Sequence, residues 1–245
     1  MIDVDQRPPL AYFYLVVLRS QRTIMLQATT INFIKNLGEN NNKPWFEVNR
    51  TEFDNAKADF QILVGIVIAE LGKTDPDIAP LLSKNCVFRQ YRDVRFSKDK
   101  TPYKNHMGAS FDKGGKKSGM AGYYLHIEPG NKSMAGGGLW MPEAPVVRKI
   151  RQEIDYNWDE FLSIIQAPAF KKIYGDLSFG EYQLTREPKG YEKENPAIEY
   201  LKLKSFVAIR PLRDEELLAK DLLKKITATF TALMPLIQFL NRSQE

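Results

Sequence analysis

The residues best equipped for chemistry lie between positions 84 and 140. Arg89, Arg92, Arg95, Lys98, Lys100 and Lys104 follow one another closely, and His106, His126 and Glu128 come soon after. Guanidinium forks suit carboxylate and phosphate, and lysines attract the same anions as point charges. Histidine carries protons near neutral pH, and a neighbouring carboxylate can share them. The chain's two histidines are both in this stretch. These residue types predict one concave site for a phosphorylated or otherwise anionic small ligand. The six basic residues are the ligand-binding candidates. His106, His126 and Glu128 are the candidate catalytic residues, although no particular reaction is indicated.

The charge distribution favours the same stretch. From Arg89 to Lys117 there are nine Lys or Arg and three Asp, a net +6 in 29 residues. The whole chain carries +5, so everything else sums to −1. Basic and aromatic residues alternate from Arg89 to Phe96. If that run is extended, Arg89, Tyr91, Asp93 and Arg95 share a face, and Asp93 can fix the arginine planes.

Two other functions compete. Segment 89–117 could bind nucleic acid, with Tyr91, Phe96 and Tyr103 stacking on bases. That reading is weaker, because the patch is small and the remainder of the chain is near neutral. Alternatively the chain is a structural protein without a ligand, and Arg–Asp pairs close the charged loop on itself.

Gly136-Gly137-Gly138 interrupts a strand pattern. It marks a bulge or tight corner, or a backbone cradle for an anion. Phosphate-loop, dinucleotide, zinc-protease and nucleophile-elbow motifs are absent. A single cysteine, Cys86, excludes an intrachain disulfide or a cysteine cluster. The pattern indicates no metal and no cofactor, although His126, Glu128 and a third ligand could hold one ion.

The elements that must position these residues are legible from periodicity. Thr30 can cap a short helix to about Leu37, and Asn49 with Glu52 fits a capping box. Phe53, Ala56, Phe60, Leu63, Val64, Val67 and Leu71 form one apolar helical face until Gly72. Cys86–Tyr91 reads as a first strand, followed by His106–Phe111. Gly122–Glu128 alternates, with Tyr123, Leu125 and Ile127 on one side and Tyr124, His126 and Glu128 on the other. Residues 113–119 make a hairpin tip, and Ser133–Trp140 returns the chain. Pro142 and Pro145 open a helix. Phe206–Arg210 is a strand ended by Pro211, and Leu222, Ile226, Phe230, Leu233 and Ile237 stripe a terminal helix. The fold class is α+β, a single domain with a largely antiparallel sheet covered by N- and C-terminal helices.

Residues 1–24 read as an N-terminal extension, with the single α+β domain at 25–245. The longest apolar run, Leu10–Leu18, falls far short of the ~20 residues a membrane span needs. One cysteine and no recognisable export signal favour the cytoplasm. The expected partner is an anionic small molecule rather than a membrane.

The block Phe88 to Lys104 (FRQYRDVRFSKDKTPYK) closely resembles the signature of the conserved hypothetical proteins called domain of unknown function 2461. Gly122–Gly130, Gly136–Trp140, Lys204-Ser205-Phe206, Asn41–Phe46 and Pro235–Asn241 match as well. The resemblance covers roughly residues 29–242. It implies one single-domain unit and brings no activity or catalytic residues with it.

Overall fold

The computed structural model describes residues 25–180 and 183–245, so the expected extension over 1–24 lies outside the described residues. The chain begins with three helices, α1 (Ala28–Glu39), α2 (Lys43–Val48) and α3 (Arg50–Leu71), and a turn of helix, α4 (Ser83–Cys86). Three strands follow: β1 (Met107–Asp112), β2 (Gly122–Ile127) and β3 (Ser133–Leu139). Then come α5 (Ala144–Tyr156), α6 (Trp158–Gln166), α7 (Pro168–Tyr174), α8 (Ile198–Leu201), β4 (Phe206–Leu212), α9 (Asp214–Leu217) and α10 (Leu222–Arg242). The sheet is antiparallel throughout in the order β1-β2-β3-β4.

Apolar spacing explains which face each element buries. All seven expected positions of the α3 stripe are buried, as are the five of α10. In β2, Tyr123, Leu125 and Ile127 turn inward beneath α10, where the Phe230 ring lies 5.2 Å from Tyr123 and 5.6 Å from Phe111. Asn241 ties the end of α10 to the sheet, accepting from the Ala121 amide at 2.7 Å and donating to its carbonyl at 3.2 Å. Tyr123 donates its buried hydroxyl to Asp75 at 2.6 Å, so this core phenol meets a partner. Among the described residues, the opposite face of the sheet carries no helix comparable to α10.

Several local expectations are corrected. Thr30 lies inside α1, and its hydroxyl bonds Asp59 at 2.6 Å instead of capping. Asn49 does begin α3, but its amide donates to the Trp45 carbonyl, so no capping box forms. The Cys86–Tyr91 strand reduces to isolated bridges, Val87 to Ala109 and Tyr91 to Tyr103. After the Phe88 amide bonds Gly108 at 2.9 Å, the Gln90 side chain takes the carbonyls of Lys104 and His106, and the chain peels away from β1. Pro211 lies within β4 instead of ending it, which an edge strand tolerates because one row of its backbone faces outward.

Candidate functional site

The open face of the sheet bears the side chains that alternate away from α10. Register sets Ser110 beside Tyr124 and Gly136, and Gly108 beside His126 and Met134. All but Gly108 line, together with Phe88, Lys116, Trp140, Val207 and Ile209, a cleft of about 670 Å³. His106 immediately precedes β1, so it stands across from Glu128 at the end of β2.

One end of the cleft is a polar row. Tyr124 Oη lies 3.2 Å from His126 Nδ1, and His126 Nε2 lies 3.0 Å from Glu128 Oε2. Asn105 donates to the other Glu128 oxygen at 3.1 Å. His106 stacks on His126 with ring centroids 4.2 Å apart. Burial pushes the His106 imidazole down to about 4, helped by His126 and Lys104 and opposed by Glu128. His106 is therefore neutral at pH 7 and offers a lone pair. Burial, and then the Glu128 charge, raise the Tyr124 phenol, which stays protonated. The absent side chain at Gly108 makes room for this phenol, since a Cβ there would lie 2.8 Å from Tyr124 Oη.

The other end is cationic. Two ammonium groups lie near the Phe88 ring, Lys104 Nζ at 5.2 Å and Lys116 Nζ at 5.0 Å from its centroid. Its edge meets Tyr124 at 6.2 Å. Lys116 donates one hydrogen bond to the Val87 carbonyl at 2.6 Å, leaving two donors. Burial, then Arg89 and Lys116, depress the proton affinity of Lys104, so positive charge is crowded here. Asp112 is the acid nearby. Burial raises its carboxyl, while a 2.6 Å bond from Ser110 and the charge of Lys116 pull it back.

The six basic candidates do not converge. Arg92 turns to Asp99, the Thr101 hydroxyl and the Thr101 carbonyl. Arg95 forms a bidentate fork on Asp93, at 2.9 and 2.7 Å, and is largely exposed. Lys100 donates to the Val94 carbonyl at 2.9 Å, and Lys98 and Arg89 are exposed. Of the six, Lys104 alone reaches the ring of Phe88, a cleft residue, and it meets there Lys116, which lines the cleft and which the sequence reading counted in the charge but not in the site. Phe88 and Trp140 were also missed, because an aromatic gives no chemical signal until its neighbours are known.

The loop is closed from below as well. Tyr103 stacks on Phe46 at 4.0 Å and exchanges hydrogen bonds of 3.0 and 2.8 Å with the Asn41 side chain. The Asn41–Phe46 and Phe88–Lys104 motifs, whose Asn41 and Tyr103 are 62 positions apart in sequence, are thus parts of one contact.

The three glycines form neither bulge nor cradle. Gly136, Gly137 and Gly138 pair in continuous register with both β2 and β4. A Cβ would lie 2.9 Å from Ile209 Cα at Gly136 and 2.8 Å from Tyr123 Cα at Gly137, and nearer still to neighbouring carbonyl oxygens. Gly138 has φ of +122°, a conformation other residues rarely adopt. Close strand approach requires these glycines, and a bare cleft floor results.

Among families of known proteins, the conserved hypothetical proteins termed DUF2461 match this chain over residues 29–239. No curated protein and no solved structure matches it.

Proposed function

The chain belongs to the DUF2461 family of conserved hypothetical proteins, and we propose that the open-face cleft binds an anionic small molecule. Phosphate is the simplest group that would suit it. The observation that carries this reading is the pair of ammonium groups held about Phe88, at 5.2 and 5.0 Å from its ring. Crowded cations lower their own repulsion when an anion joins them, and Lys116 still has donors to give. The glycine floor, Met134, Val207, Ile209 and the exposed Trp140 accommodate a flat or apolar body beyond the charged group. Such a mixture of apolar walls and a few convergent polar groups is typical of small-molecule sites.

The test is a thermal-shift titration with inorganic phosphate and a panel of phosphorylated metabolites. A saturable rise in melting temperature is expected, and Lys104→Ala with Lys116→Ala should abolish it. Absence of any anion-dependent rise, or a rise unchanged in the double variant, rejects the reading.

A second reading concerns residues 92–101. Because Arg92 and Arg95 are each engaged by an aspartate of the same loop, that loop supports a structural role. Nucleic-acid binding would then have to use the exposed Arg89 and Lys98. Salt-dependent oligonucleotide binding that Arg89→Ala weakens would favour it over the small-molecule reading.

A further inference from the structure

Both histidines of the chain stand face to face, and a carboxylate joins them. His106, His126 and Glu128 each offer one ligand atom, and these atoms lie within 4.8 Å of one another. We infer that His106, His126 and Glu128 hold a single first-row divalent transition-metal ion, of the zinc or iron(II) type. The inference goes beyond the anion reading, because it concerns a cation held by other residues than Lys104 and Lys116.

Register builds the cluster. Met107 pairs with Ile127, so His106 and Glu128 stand opposite each other just past the paired residues, and His126 shares their face two positions back. Two imidazoles and a carboxylate suit zinc or iron(II), whereas magnesium and calcium prefer oxygen ligands. Around a tetrahedral ion with bonds of about 2.0–2.1 Å, ligand atoms are about 3.4 Å apart. His126 Nε2 and Glu128 Oε2, at 3.0 Å, are already near that spacing.

The surroundings resemble a ligand shell. Tyr124 holds the Nδ1 edge of His126, which orients the ring and leaves Nε2 for an ion. Asn105 and Lys132 occupy Glu128 Oε1, leaving Oε2 toward the histidines. Neither ring nitrogen of His106 has a hydrogen-bond partner among the described residues, so its lone pair is not committed to the protein. Two cations are adverse: Lys132, whose side chain is 67% exposed and can turn to water, and Lys104, whose charge reaches His106. Three protein ligands leave the ion's remaining positions to water or to a molecule in the cleft. An ion between His126 and Glu128 displaces the proton they share, so metal binding excludes a proton relay through that pair.

The test uses the full-length, tag-free chain, stripped with chelator and titrated with Zn²⁺ and Co²⁺ in phosphate-free buffer. About one equivalent should bind, with visible Co²⁺ absorption bands of a nitrogen-ligated ion. His126→Ala and Glu128→Gln should weaken affinity by at least about tenfold. If either variant fails to fold, ¹⁵N-histidine spectra of the wild type decide. With only two histidines in the chain, both ring signals should move on adding Zn²⁺. Unmoved ring signals, no saturable binding by folded protein, or wild-type affinity in the folded variants would each overturn the inference. Phosphate binding can fail while metal binding stands, and the reverse, because neither titration contains the other ligand.

Discussion

Replacing Gly136 with alanine separates two explanations of the glycine run. The new Cβ would lie 2.9 Å from Ile209 Cα and 3.2 Å from the Ala208 carbonyl carbon, both in the neighbouring strand. Carbon atoms rest at about 3.5–4.0 Å, so β3 and β4 must part by roughly half an ångström or more. The contacted atoms are backbone and cannot rotate away as a side-chain end would. Overpacking of this kind costs about 1–3 kcal/mol. For a domain of this size each kcal/mol lowers the melting temperature by about 2–4 °C, so a fall of about 2–12 °C is expected in a calorimetric scan. Gly65→Ala is the control. It lies inside α3, and its Cβ would sit 3.8 Å from Ser83 Cβ, an ordinary contact. Helix propensity then predicts a gain of about 0.5–1 kcal/mol. If Gly136→Ala melts with the wild type yet loses its response to phosphate, the glycines serve the ligand and the packing argument is wrong.

Glu216 gives a pH prediction. Burial raises its carboxyl, but the Arg213 amide, Arg210 and Lys225 outweigh that and hold it at about 2. The depressed value means its stabilisation is complete above the unfolded value near 4.5 and is lost as pH falls toward 2, amounting to ~3 kcal/mol at most. Glu216→Gln should therefore be less stable than wild type at pH 7, and chemical denaturation should show the gap closing toward pH 2–3. A constant gap would contradict the assignment. Arg92→Ala should loosen residues 92–101, seen as faster protease cleavage there, with a loss of about 1 kcal/mol or less in overall stability. Unchanged cleavage would mean that the Asp99 and Thr101 contacts do not hold the loop. Phe88→Ala should weaken phosphate binding severalfold by letting Lys104 and Lys116 disperse, and an isothermal titration matching wild type would exclude Phe88 as their support.

Periodicity read the fold well because the relevant burial is one-sided. The stripes of α3 and α10 and the alternation of β2 depend on spacing alone, so Tyr124, His126 and Glu128 were assigned to the open face correctly. Competing partners explain the local errors: Asp59 took the Thr30 hydroxyl, and the Gln90 amide took carbonyls a strand would have used. The candidate site was only half legible. Charge density drew attention to Arg92 and Arg95, but charge counts do not reveal which aspartate each will meet. The placement of His106 beside the polar row follows from the β1–β2 register, which depends on a hairpin length that residue types alone did not fix.

Both margins of the sheet are occupied at one place. Beyond β1, the Phe88 amide occupies the Gly108 carbonyl. Beyond β4, the Ser178 amide occupies the Val207 carbonyl at 2.8 Å, and Pro211 has no N–H to offer. A fifth strand from another molecule meets these occupied groups, and such lateral recruitment is how exposed sheets commonly begin to aggregate. Each such contact opposes lateral growth of the sheet at its own place on the margin.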